Sequence, residues 1–192
     1  MKTEQTTTIR GEKGVENALA MTEKLGADYG LERKSVLHLR LLAEELFGMI
    51  RGIAGNIVSE YKISAEDKKF ELHLKSEVEM TVEMRDKLIS VSSSGKNAAA
   101  TGFTGRIRVL IAEALLSMRE TAPYAVINTA SAYSPVWMMS DYKSDVMKNA
   151  DTDKTAKQAW DELEKSVLAK IADDIKVGVV GNSVEIIIYK AF

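Results

Sequence analysis

A chain of 192 residues is long enough for one sizeable domain, and 45% hydrophobic with 28% charged residues is the balance of a globular protein in water. A formal net charge of −2 argues against a broad surface for nucleic acid or anionic membrane, and the absence of cysteine excludes disulfides, thiolate metal sites and thiol nucleophiles. No segment approaches the roughly eighteen apolar residues of a membrane span, and MKTEQTTTIRGEK has no apolar run, so a cytoplasmic setting without a secretory signal is expected.

Thr6 to Arg10 is β-prone and predicts a first strand ended by Gly11. Val15, Ala18, Leu19 and Leu25 then recur at helical spacing, with Gly26 as the stop. A longer helix is predicted from Leu31 to Gly55, carried by Val36, Leu39, Leu42, Ala43, Leu46, Ile50 and Ile53. It contains Gly48 and Gly52, each costing about 1 kcal/mol against alanine inside a helix, which implies close approach by a backbone or a ligand. Phe70, Leu72 and Leu74 alternate with charged residues as in a half-buried strand, which Val78 and Met80 could extend. MRDKLIS favours a short helix within residues 81–91, followed by a glycine-serine loop.

Ile107 to Arg119 predicts another helix, with Ile107, Leu110, Ile111, Ala114, Leu115 and Met118 on one stripe. Residues 121–152 are poorly legible. Ser134-Pro135 reads as the cap and first residue of a helix through Trp137, Met138, Tyr142 and Val146. Trp160, Leu163, Val167 and Ile171 mark one further helix, and a Gly181-Asn182 turn joins the strands of a closing hairpin. Neither repeats nor a linker interrupt this order. The expected fold is a single α+β domain over residues 1–192, a two-layer sandwich whose mostly antiparallel, mixed sheet carries helices on one face.

The loop LISVSSSGKNAAATGFTGRIR raises the question of phosphate binding. A phosphate loop needs G-x-x-x-x-G-K-[ST], with glycines converging backbone N–H groups and a hydroxyl for magnesium. Gly95-Lys96 matches, but Ser90 replaces the first glycine and Asn97 replaces the hydroxyl residue. An anion at the helix opened by Gly102 and Gly105 remains a reading of Ser93, Ser94, Gly95, Lys96 and Asn97; a surface loop of small residues is the other. Lys96 is the best single candidate for meeting an anion.

Glu44-Glu45 could supply a general base, although adjacent carboxylates on a helix point about 100° apart and more often form a solvated face. His38 and His73 lie on different elements without a second ligand, so no metal site is expected. Asp151, Asp153, Thr155 and Glu162 imitate calcium-loop positions, but Ala156 stands where glycine is required, and helix capping explains them better. Trp137, Met138, Met139 and Tyr142 are expected in the core rather than in an exposed partner-binding patch.

The stretch LLAEELFGMIRGIAG resembles the N-box helix of the GHKL ATPases, above all the anti-sigma-factor serine kinases and histidine kinase ATPase domains. That motif is L-x-x-E-A-x-x-N-[AV]-[IV], and Glu45 matches its glutamate, which activates the attacking water or hydroxyl. GFTGRIRVLIAEALL is similar to the helix after the family's glycine-containing ATP lid. ISVSSSGKN, AWDELEKSVLAKIADD and VGVVGNSVEIII resemble bacterial proteins described only as ATP-binding or histidine-kinase-like. The resemblance implies a histidine kinase-like (Bergerat) fold, ATP with Mg2+ as the cofactor, and a pocket lined by Gly48, Met49, Gly52 and the loop.

Two departures bear on activity. Met49 stands where the family's magnesium-binding asparagine belongs, and no glycine lies between Asn56 and Ser94, so the adenine-reading D-x-G-x-G box is absent. The expected function is therefore a regulatory protein-binding domain with weak or lost nucleotide binding rather than an enzyme, with a homodimer left open. The alternatives are an active ATP-dependent serine kinase or ATPase using Glu45, and a binder of another small molecule in the remodelled pocket.

Overall fold

The computed structural model describes residues 2–93, 102–121 and 136–192. Among them the elements run β1 (Thr3–Ile9), α1 (Gly11–Asp28), α2 (Arg33–Ala54), β2 (Ser59–Glu66), β3 (Lys69–Glu77), α3 (Val82–Ser93) and α4 (Phe103–Thr121). There follow β4 (Val136–Met138), α5 (Met139–Asn149), α6 (Lys154–Lys165), α7 (Val167–Ile171), β5 (Asp174–Val180) and β6 (Ser183–Ala191). The six strands form one sheet in the order β1-β2-β3-β6-β5-β4.

The α+β class is as expected, but the sheet is antiparallel at every pairing rather than mixed. Connection length explains this. Tight hairpins join β2 to β3 and β5 to β6, while two successive helices between β1 and β2 return the chain to the end of the sheet it left.

Strand alternation puts Tyr61, Ile63, Phe70, Leu72, Leu74, Ile175, Val177, Ile186 and Ile188 into one core cluster with the helices. The opposite face carries Lys62, Glu71, His73 and Glu185, more exposed and polar. Helix α2 buries the stripe Leu39, Leu42, Ala43, Leu46, Met49, Ile50 and Ile53. It ends at Gly55, whose φ of +69° suits glycine at a helix C-terminus. Helices α1 and α2 approach closely at Gly26, where an added Cβ would lie 3.1 Å from Leu39 Cδ1.

Several boundaries move. The first strand begins at Thr3, and Gly26 lies inside α1 as a contact residue rather than ending it. Strand β2 was not anticipated, because its core face carries only Tyr61, Ile63 and Ala65 and its turn has no glycine. That turn is Asp67-Lys68, with φ of +48° and +62°, the doubly positive pattern of a two-residue hairpin loop.

Trp137 and Met138 lie in β4, not in a helix, and α5 starts at Met139; Ser134-Pro135 falls outside the described residues. The single helix expected around Trp160 to Ile171 is two, broken at Ser166, whose side chain caps α7 by accepting from the Ala169 N–H. Asp153 likewise caps α6, accepting from the Thr155 N–H at 2.8 Å, in keeping with the capping account of the acidic pattern. Among the described residues no helix is long and apolar enough to cross a membrane.

Candidate functional site

The flank of α2 beside its core stripe faces α3 and α4. A groove of about 350 Å³ lies there, lined by Arg51, Gly52, Lys87, Leu88, Gly105 and Arg108 with their apolar neighbours. Arg108 is its central feature. Its Nη2 donates to the Gly48 carbonyl at 3.1 Å, and its guanidinium lies so close to Gly52 that an added Cβ there would sit 2.6 Å from Cζ and Nε.

At Gly52 the close approach is made by the Arg108 side chain; among the described residues nothing lies within 4 Å of a Cβ built on Gly48. Burial lowers the Arg108 pKa, and the charge of Glu45 works against that shift. Glu45, one turn from Gly48 and half-buried, is therefore placed as a counter-charge to Arg108. Its neighbour Glu44 points elsewhere, accepting from Arg40 Nε at 2.8 Å while Arg40 Nη1 reaches Glu23 on α1. The two carboxylates do not form a dyad.

Met49 is fully buried in the core, Gly52 and Gly105 line the groove, and the Gly48 carbonyl accepts from Arg108. Gly102 precedes α4 with a φ of +84° and borders a different cavity. Ser93 ends α3, while Ser94, Gly95, Lys96 and Asn97 fall outside the described residues. Sequence reasoning missed Arg51, Lys87 and Arg108. The only signal for them was a cation on each of three helices, which shows no convergence until the helices are packed.

On the far flank of α4 a larger cavity of about 580 Å³ lies among α4, β4, α5 and α6. Phe103, Trp137 and Tyr142 line it, with ring centroids 5.7 Å apart for Trp137–Tyr142, 6.1 Å for Phe103–Trp137 and 6.2 Å for Phe103–Tyr142. Trp137 and Tyr142 are half-buried wall residues, whereas Met139 is wholly in the core as expected. Arg106 Nε donates to Glu162, whose other oxygen accepts from Gln158 Nε2 at 3.2 Å.

The Tyr142 hydroxyl is buried and has no hydrogen-bond partner among the described residues, a state that costs about 1–3 kcal/mol. Burial raises its pKa, Arg106 opposes the shift and Glu162 adds to it, so the group is a neutral phenol at physiological pH.

Neither histidine belongs to a ligand set: among the described residues no three His, Asp or Glu side chains could together hold a metal ion. His73 instead contacts Glu71 at 3.2 Å on the polar face of the sheet.

No protein-family model matches the chain, and no curated protein sequence does.

Proposed function

We propose that this chain is a GHKL-like regulatory domain that acts by binding a partner protein and has given up nucleotide. Two strands of argument support the reading: the N-box-like sequence around Glu45, and an element order of strand, two helices, hairpin, helices and closing hairpin. The observation that carries it is Arg108. Its guanidinium lies against Gly52 and bonds the Gly48 carbonyl, on the α2 flank where the resemblance would put nucleotide. Met49, at the position of the magnesium-binding asparagine, is an apolar core residue with no contact to the groove.

Without a metal ligand from that turn, a water activated by Glu45 would have no polarised phosphate to attack; the carboxylate balances Arg108 instead. A domain that keeps its fold without the chemistry is free to serve as a binding surface.

Calorimetry with ATP and ADP, with and without magnesium, tests this. No saturable heat is expected, together with stoichiometric co-purification of a sigma-type or other regulatory protein. Saturable magnesium-dependent binding, with turnover abolished by Glu45→Ala while binding survives, overturns the reading in favour of an active kinase or ATPase.

A second reading has its own observation. Arg51, Lys87 and Arg108 all line the groove, and no carboxylate lines it among the described residues, a field suited to a small anion other than a nucleotide. Binding of such an anion, weakened severalfold by Lys87→Ala and by added salt, would favour it over the first.

A further inference from the structure

The cavity on the far side of α4 is independent of the α2 groove and of any nucleotide history. Its volume of about 580 Å³ falls inside the range of small-molecule sites. Three of its features act together.

The first is the aromatic wall. Centroid separations of 5.7 to 6.2 Å between all three pairs, with interplanar angles of 30° to 47°, make Phe103, Trp137 and Tyr142 a triangular cluster of mutually tilted rings. Rings packed on one another in this way offer an apolar surface on which a flat molecule lies.

Charge is the second. Arg106 and Glu162 are bonded to each other, and Glu113, also in the lining, meets Arg85 at 3.4 Å. With each charge among the described lining residues matched, the site gains little from a net charge on its occupant, and a charged molecule would lose its hydration without an unmatched counter-charge.

The third is the Tyr142 hydroxyl, buried on this wall without a hydrogen-bond partner among the described residues. The oxygen itself is out of reach of water, so a ligand carrying an acceptor supplies the bond it lacks once rotation of the half-buried side chain brings the hydroxyl to the cavity surface.

We infer that the cavity between α4, β4, α5 and α6 binds a neutral, planar heteroaromatic molecule, stacked on Trp137 and Tyr142 and accepting a hydrogen bond from the Tyr142 hydroxyl. The ligand class is a fused bicyclic ring bearing a carbonyl or ring-nitrogen acceptor.

The chain has two tryptophans, so Trp160→Phe leaves Trp137 as the sole reporter at the wall. The probe is isoquinolin-1(2H)-one, a neutral bicyclic lactam, titrated into this variant while tryptophan emission is followed. Naphthalene serves as its acceptor-free analogue and 1-naphthoate as an anionic one. Saturable quenching by the lactam is expected, with both analogues at least about tenfold weaker, and Tyr142→Phe should weaken the lactam about tenfold without affecting naphthalene. Leu110→Phe, which narrows the cavity from α4 without altering Tyr142, should abolish the quenching while far-UV circular dichroism stays unchanged.

The inference is overturned by no saturable quenching up to millimolar lactam, by unchanged lactam affinity in folded Tyr142→Phe, or by 1-naphthoate binding more tightly. A failure of nucleotide binding leaves it untouched, because the two sites share no lining residue among those that carry the argument.

Discussion

Thr22 and Tyr61 show how much a single buried hydroxyl can matter here. Both are fully buried, and their oxygens lie 2.7 Å apart. Since the Thr22 hydroxyl donates to the Ala18 carbonyl at 2.8 Å, its lone pair must accept the Tyr61 proton. The two halves of the pair are therefore unequal. Tyr61→Phe removes a donor and leaves Thr22 bonded to Ala18, for a loss of about 1 kcal/mol. Thr22→Val strands the phenol in the core, so a loss of up to about 3 kcal/mol is expected. Urea denaturation of both variants checks the order, and a smaller loss for Thr22→Val would refute this bonding.

Glu71 gives a pH signature at the same scale. Burial pushes its pKa up, but the His73 hydrogen bond, the charges of Lys2 and His73, and the Ser64 hydroxyl together hold it below the ordinary value. The folded state thus binds that proton more weakly than the unfolded chain. Its contribution is complete above about pH 4.5 and is lost as pH falls through the lower folded pKa. Melting temperatures of the wild type and Glu71→Gln should differ at neutral pH and converge in acid; parallel curves would show that the carboxylate contributes nothing. Residues such as these were opaque in the sequence. A glutamate on a strand reads alike whether or not a histidine, a lysine and a serine come to surround it.

Among the elements, α2 offers the sharpest test, because Gly48 and Gly52 share one helix and differ only in what lies above them. Gly48→Ala meets no atom of the described residues within 4 Å, so relief of helix entropy should stabilise the protein by up to about 1 kcal/mol. Gly52→Ala must displace the Arg108 guanidinium, and it should lose that gain or reverse it. In an Arg108→Ala background the same change should recover the full benefit, a coupling that a double-mutant cycle measures directly. Equal effects at Gly52 in both backgrounds would mean that Arg108 does not rest there.

This helix and the closing hairpin were legible because each announces itself locally, through a long stripe of period 3.6 and through a glycine at the turn. Gly181 takes a φ of +59° as the first loop residue. Strand β2 escaped notice because its turn uses Asp67 and Lys68, where only a backbone angle distinguishes a hairpin from a charged loop. Strand β4 escaped for another reason. Its three residues pair with Val177 and its neighbours across a long sequence gap, and so short a strand has no period of its own.

For the whole molecule, one cluster of buried side chains runs from Ile9 on β1 to Ile188 on β6 and takes in residues from α1, α2, α4, α5, α6 and α7. Because this one cluster draws on elements from both ends of the chain, cooperative unfolding is expected. Tryptophan fluorescence, reporting Trp137 and Trp160 on β4 and α6, should lose signal at the same temperature as circular dichroism, which reports helices throughout. Separate transitions would show that the α5–α6 side melts alone. The α+β class was readable from the mixture of periods along the chain. The convergence of Arg51, Lys87 and Arg108, and of Phe103, Trp137 and Tyr142, was not, because each set joins elements that the sequence holds far apart.

Strand β6 lies between β3 and β5, pairing with Lys69–Glu77 across more than a hundred intervening residues. In the time order of synthesis this leaves β1, β2 and β3 able to pair while the outer edge of β3 stays open. Its backbone N–H and C=O groups, and the Phe70, Leu72 and Leu74 side chains beside them, must wait for the late strand. The join between the two halves of the sheet is thus also a clock. Until it closes, the nascent chain offers a ready template for a neighbouring chain, and the interval is set by the speed of translation through residues 78–182.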